Sequence, residues 1–198
     1  KGRKMKRMIL ASGSPRRKEL LQMLEVPFEV LVSDTKEVII KNEPAEVTKE
    51  LSYQKAMAVA GQVEEGIIIG ADTVVSIDGK ILGKPADKEE AREMIYKLQG
   101  KSHMVYTGVT VIAKSDDMVS ASSFAEGTKV NVAPMTENEI EASSQTLKRR
   151  GNLIFRPKNH MIKPEHMAFK ACLASLLKEL RGTTSMWLVF PFTGCMKN

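Results

Sequence analysis

The sequence predicts an α/β protein, and three observations carry that prediction. Gly66–Ile77, GIIIGADTVVSI, is nearly all apolar and β-branched, as a central strand is. Short apolar runs on its N-terminal side alternate with segments of helical period. Beyond it, Ser102–Ala113 and Ser120–Val132 read as long paired strands around a polar Ser115-Asp116-Asp117 turn. Strands and helices that alternate along a chain define the α/β class.

Each element follows from local chemistry. Met8–Ala11 is a short buried strand, and Pro15–Leu24 a helix with Leu20, Leu21 and Leu24 on one face. Phe28–Val32, FEVLV, predicts a second strand. Glu43–Ala60 is a longer helix with Pro44 in its first turn, where the missing N–H costs nothing. Asp78-Gly79 is a hairpin turn leading to Lys80–Leu82. Asp87 caps a helix to Leu98 with acidic residues in its first turn. Thr136 and Glu139 have capping-box spacing and open another helix.

The 198 residues suffice for one ordinary α/β domain or two very small ones. The chain does not begin with Met, so the natural start is expected upstream. No apolar run is long enough to span a membrane, and no secretory leader pattern opens the chain. The expected compartment is therefore cytoplasmic. Cys172 and Cys195 form neither a disulfide framework nor a metal motif. The net charge of +6 invites a nucleic-acid reading, but its distribution argues against one. Residues 1–141 hold 20 Lys+Arg and 22 Asp+Glu, a net −2, whereas 142–198 hold 10 and 2, a net +8. Composition changes near Ala142, so 1–141 is the expected catalytic unit and 142–198 an aberrant tail.

Candidate functional residues are scattered. In Ile9–Leu21, ILASGSPRRKELL, small residues precede a helix start and two arginines. That stretch is either a capped surface helix or an anion site in which helix N–H groups, Arg16 and Arg17 meet a phosphate. Asp72 interrupts an apolar run, where a carboxylate is costly unless it is satisfied. It is a strand-end aspartate held by backbone donors, or a metal ligand or general base. Lys84 in LGKP and Lys55 in SYQKAMA are surface or snorkelling lysines, or phosphate ligands. Asp34 and Glu37 in VSDTKE are loop solvation or a Mg²⁺ pair. His103 stands alone and is read as structural. Together, cations for phosphates and carboxylates for a divalent ion are what phosphoryl chemistry requires. There is no Walker loop and no GxGxxG.

The order SGSPRRKELL, VSDTKE, QKA, IIGADTVV, LGKP and SH…YTGV resembles the Maf family over roughly residues 5–141. The resemblance implies a Maf and inosine-triphosphatase-like fold, with a mixed, elongated central sheet flanked by helices. It implies hydrolysis of a nucleoside triphosphate to monophosphate and pyrophosphate with Mg²⁺ or Mn²⁺. Ser12, Arg16 and Arg17 would bind phosphate, and Lys55 and Lys84 the phosphate chain. Glu37 and Asp72 would hold the metal, with Asp72, Lys55 and Lys84 as the catalytic set. GADT, with Thr73, and the paired arginines look like the branch preferring dTTP and UTP, with modified pyrimidine nucleotides as further substrates. A homodimer is implied as well, with no membrane and no nucleic acid as partner.

The resemblance stops in the tail, where relatives carry a segment like EPxDKAGAYGIQG and later GDY…VVGLP. The genetic code explains how it stops. Joining the last base of each codon to the first two of the next, Met161-Ile162 must give Asp and Met167-Ala168 must give Gly. Phe169-Lys170 must give Gln, because the other choice is a stop. Compatible codons spell EPYDKAGAYGIQG across Lys158–Ala171. The same shift over Gly182–Asn198 permits GDYxxVVGxP, with Met186-Trp187 forcing a Val. The tail thus reads as an out-of-frame family C-terminus, and its basic charge follows from the frame. Weak or absent turnover, by a nucleotide-binding protein with a partial site, is the alternative that follows.

Overall fold

The computed structural model describes residues 7–150 except 24, 25, 33, 35 and 117, and except the side chains of 146 and 148–150. The expectations for Leu24, Asp117 and everything from 151 onward lie outside the described residues. The element order is β1 (Met8–Ala11), α1 (Pro15–Gln22), β2 (Glu29–Val30), α2 (Pro44–Ala60), β3 (Gly66–Ile77) and β4 (Lys80–Leu82). It continues with α3 (Lys88–Leu98), β5 (Ser102–Ser115), β6 (Met118–Asn131) and α4 (Glu137–Arg150).

The expected α/β class holds, and the sheet is mixed. Its order is β2-β1-β3-β5-β6, with β4 also on β3. β1 lies parallel to β2 and β3, whereas β4 and β5 run antiparallel to β3 and β6 antiparallel to β5. The second strand is shorter than FEVLV suggests: only Glu29 and Val30 pair, and both are exposed. An edge strand with one neighbour and no burial lacks the cross-strand packing that makes β-propensity count.

The period-two alternation of strands sorts the core into two faces. Met8, Leu10, Ile67, Ile69, Ala71, Val109 and Val111 pack with Leu20 and Leu21 of α1. Ile9, Ala11, Ile68 and Ile112 pack with Ala56, Val59 and Ala60 of α2 on the other. A third cluster joins α3 and α4 through Ala91, Met94, Ile95, Ile140 and Leu147. Arg92 and Tyr96 of α3 bond Glu137 of α4, and Lys88 pairs with Glu141, so the seam is polar outside and apolar inside.

The predicted caps form. Asp87 accepts the Glu90 N–H at 2.8 Å. Thr136 accepts from the Glu139 N–H at 3.4 Å while the Glu139 carboxylate accepts from the Thr136 N–H at 3.0 Å. Asp78 and Gly79 both take positive φ, as the tight hairpin turn requires. Helix α4 runs through Ala142 without a break and buries Ser144 and Leu147. Among the described residues no helix is long and apolar enough to cross a membrane.

Candidate active site

The site lies where one edge of β3 loses its neighbour. β1 ends at Ala11, opposite Gly70, and β4 begins to pair only at Val75. Because β5 covers the other edge of β3 throughout, Ala71–Val74 face a gap between β1 and β4. Ligands of open α/β sheets sit at such places, beyond the carboxyl ends of the strands. A cleft of about 460 Å³ opens here, with Arg16, Arg17, Glu37, Lys55, Asp72, Thr73 and Lys84 in its wall. The chain thus brings together at one place cations from the segments after β1 and β4, a lysine from α2 and a carboxylate from β3.

Alternation along β3 divides the roles. Asp72 follows Ile68 and Gly70 onto the α2 face, and Thr73 follows Ile69 and Ala71 onto the α1 face. Lys55 of α2 accordingly pairs with Asp72, and also with Glu37 at 3.1 Å. Asp72 is only 14 % exposed and Lys55 26 %, against 45 % for Glu37. A carboxylate this enclosed needs its partner, since desolvation is otherwise uncompensated. On the α1 side, Arg17 donates to Ser12 Oγ at 3.0 Å and to Thr73 Oγ1 at 3.2 Å. The Thr73 and Thr107 hydroxyls lie 3.1 Å apart, and Thr107 is buried. Ser12 is thus brought to the site as an acceptor of Arg17 and is not among the residues of the cleft wall. Asp34 is exposed and does not line the cleft, so the carboxylate that joins Glu37 is Asp72.

Two glycines set the height of α2 over the sheet. A Cβ on Gly108, the register partner of Asp72, would lie 2.3 Å from the Thr48 carbonyl. A Cβ on Gly70 would lie 2.3 Å from the Ser52 carbonyl oxygen. Thr48 and Ser52 are one turn apart on the same helix face. Backbone-to-backbone contact at both places brings Lys55 within reach of Asp72. Ser52 Oγ then meets Thr110 Oγ1 at 2.8 Å in the buried layer beneath. Sequence reasoning missed Gly70, Thr107 and Gly108 as parts of the site. The available signals were their places in the motifs IIGADTVV and YTGV and the interruption of two β-branched runs by glycine.

His103, at the start of β5, is buried, and burial pushes its imidazole below the ordinary histidine value. It does not line the cleft, in keeping with the structural reading.

Fold and cleft define a class: an α/β protein that sets two carboxylates among four cationic side chains at an open sheet edge, an arrangement suited to a phosphate chain. The chain belongs to the Maf family, for the family's model, described as Maf-like protein, matches residues 7–151. It is similar to the dTTP/UTP pyrophosphatase of Bacillus cytotoxicus, 48 % identical over 152 residues, 75 % of this chain and 78 % of that protein. The dTTP/UTP pyrophosphatase of Bacillus cereus is 46 % identical over 155 residues, 76 % of this chain and 74 % of that protein. Among solved structures, the Staphylococcus aureus Ham1 protein is similar with a TM-score of 0.52 at 13 % identity, over 88 % of this chain and 100 % of its own. At that identity the likeness concerns the fold, and it agrees with the expected α/β architecture of a mixed sheet flanked by helices.

Proposed function

We propose that this chain hydrolyses nucleoside triphosphates, dTTP and UTP foremost, to the monophosphate and pyrophosphate. The observation that carries the proposal is the convergence of Arg16, Arg17, Lys55 and Lys84 on one cleft with Asp72 and Glu37. The relatives' activity agrees with it. Four cations offset the charge of a triphosphate and the further charge that builds as water attacks phosphorus.

A divalent ion, Mg²⁺ or Mn²⁺, fits the carboxylates. The Lys55 ammonium bridges Asp72 and Glu37, so both oxygens already converge on one cation. Among the described residues no cluster of three or more His, Cys, Asp or Glu could form a closed protein cage. Two carboxylates suit Mg²⁺, which keeps water and takes its other ligands from phosphates. Bound there, the ion would polarise a phosphoryl oxygen and acidify its water. Asp72 accepts the proton of the attacking water, and Lys55, drawn to the phosphates, leaves the carboxylates. Arg17, fixed by Ser12 and Thr73, orients the phosphate chain together with Arg16, and Lys84 binds it from the β4 side.

The tail supports a second reading, slow turnover behind intact nucleotide binding. The family match ends at 151, and α4 extends to Arg150. A departure that begins somewhere in Ala142–Arg156, toward the later part of that window, agrees with both. Past that point the chain reads in a shifted frame and lacks the Gly-Ile-Gln-Gly segment of relatives. A pyrophosphate-release screen over canonical and modified nucleotides tests both readings. Release from dTTP and UTP at least about tenfold faster than from purine triphosphates supports the first. Saturable dTTP binding without release supports the second, and neither binding nor release refutes both.

A further inference from the structure

The segment that carries Glu37 is held by α2 and not by burial. Residues 36–42 form neither helix nor strand. Val38, Ile39 and Ile40 are 55, 56 and 74 % exposed, so apolar packing does little to fix their place. The Gln54 amide does it instead. Its Oε1 accepts the Val38 N–H at 2.9 Å, and its Nε2 donates to the Val38 carbonyl at 2.6 Å. One side chain thus satisfies both main-chain groups of one residue, as a neighbouring strand would. One turn earlier on the same helix face, Glu50 accepts the N–H groups of Ile40 and Lys41 at 3.1 and 3.3 Å. The next residue after Gln54 is Lys55, which reaches back to Glu37. Glu37 and Lys55 are therefore borne by one helix, and that helix is seated on the sheet at Gly70 and Gly108.

We infer that Gln54 is a positioning residue for Glu37: its two hydrogen bonds to Val38 set the place of the neighbouring carboxylate relative to Asp72. The inference rests on the metal reading proposed above and goes beyond it, naming a residue that is not among those lining the cleft. Only a side-chain amide at 54 both accepts from and donates to the Val38 peptide groups. Gln54→Glu keeps the acceptor but sets a carboxylate against a carbonyl. Gln54→Ala removes both bonds and leaves the Glu50 pair as the remaining tie.

A double-mutant cycle tests this. The Mg²⁺ concentration for half-maximal pyrophosphate release is measured for the wild type, Glu37→Ala, Gln54→Ala and the double variant. Losing the support of a metal ligand costs about tenfold or more in metal affinity or activity. Gln54→Ala should raise the Mg²⁺ requirement about tenfold while kcat at saturating Mg²⁺ changes far less, and Gln54→Glu should fall between. The double variant should be no worse than Glu37→Ala alone. An unchanged requirement in Gln54→Ala, or an effect that adds in full to that of Glu37→Ala, overturns the inference. Hydrogen exchange at the Val38 amide separates this failure from failure of the metal reading. If Glu37→Ala leaves the Mg²⁺ requirement unaltered, the metal reading has failed. Gln54 is then judged by exchange: faster exchange at Val38 in Gln54→Ala, with the core amides still protected, upholds the clamp, and unchanged exchange overturns it.

Discussion

Replacing Gly108 by alanine should lift α2 off the sheet and carry Lys55 with it. The new Cβ would meet the Thr48 carbonyl carbon and oxygen at 2.3 Å and the Lys49 nitrogen at 2.8 Å. Ordinary contact begins near 3.4 Å, so about 1.1 Å of clearance is missing. The atoms in the way are helix backbone, which no rotamer change removes. Overpacking of this kind costs about 1–3 kcal/mol. At roughly 2–4 °C per kcal/mol for a chain of this size, Tm should fall by about 2–12 °C. The functional loss should exceed the loss of stability, because misplacing a reacting group by about 1 Å can cost on the order of a hundredfold in rate. Calorimetry and steady-state pyrophosphate release at a temperature where the variant is folded measure the two separately. Gly61→Ala, where the new Cβ finds its nearest neighbours at 3.7 Å and φ is −66°, is the control and should leave kcat unchanged without lowering Tm. A Gly108→Ala variant with wild-type Tm and wild-type kcat would refute the claim that backbone contact at Gly108 positions Lys55.

Lys55→Met should raise the affinity of the nucleotide-free protein for Mn²⁺ at least tenfold by electron paramagnetic resonance. Unit charges 4 Å apart near a protein surface interact by about 4 kcal/mol, and the variant removes the cation that competes for Asp72 and Glu37. Unchanged Mn²⁺ binding would contradict it. The His103 imidazole, lowered by burial, binds fewer protons folded than unfolded. Its contribution to stability is complete above about pH 6.5 and is lost as pH falls through that value toward the folded pKa. Tm should therefore decline from pH 7 to 5, and His103→Asn should flatten that decline. Leu147→Ala should cost about 2–4 kcal/mol by cavity formation, since Leu147 is 2 % exposed against Ala91, Met94, Ile95 and Ile140. A change in Tm under a degree would mean that α4 beyond Ala142 is not part of the core.

Much of this arrangement is legible in the sequence, and the rest fails to be for identifiable reasons. Helices and long strands come through because period and caps are local: Pro44, Asp87 and Thr136 each act within one turn. The candidate residues at Arg16, Arg17, Glu37, Lys55, Asp72 and Lys84 come through as charges at a helix start, in loops, on a helix and inside an apolar run, and Thr73 comes only through the family motif GADT. Their convergence depends on β1 ending at Ala11 and β4 starting at Lys80, which strand pairing decides. Gly108 sits opposite Asp72 only by register, and Thr107 meets Thr73 for the same reason. Gln54 stands in the motif QKA, but its bonds to Val38 show only where that segment lies across α2. Such contacts join positions far apart in the chain, and no local propensity encodes them. FEVLV shows the converse, a strong propensity that an exposed edge leaves mostly unused.

In the proposed function, Asp72, set among four cations, promotes cleavage of a nucleoside triphosphate into monophosphate and pyrophosphate. Phosphorus NMR of dTTP turnover with Mg²⁺, for the chain as written and for Asp72→Asn, tests it directly. dTMP and pyrophosphate should form in equal amounts, with the rate lowered at least about a hundredfold in Asp72→Asn, as loss of a general base entails. Formation of dTDP and inorganic phosphate, or an unchanged rate in Asp72→Asn, would contradict it.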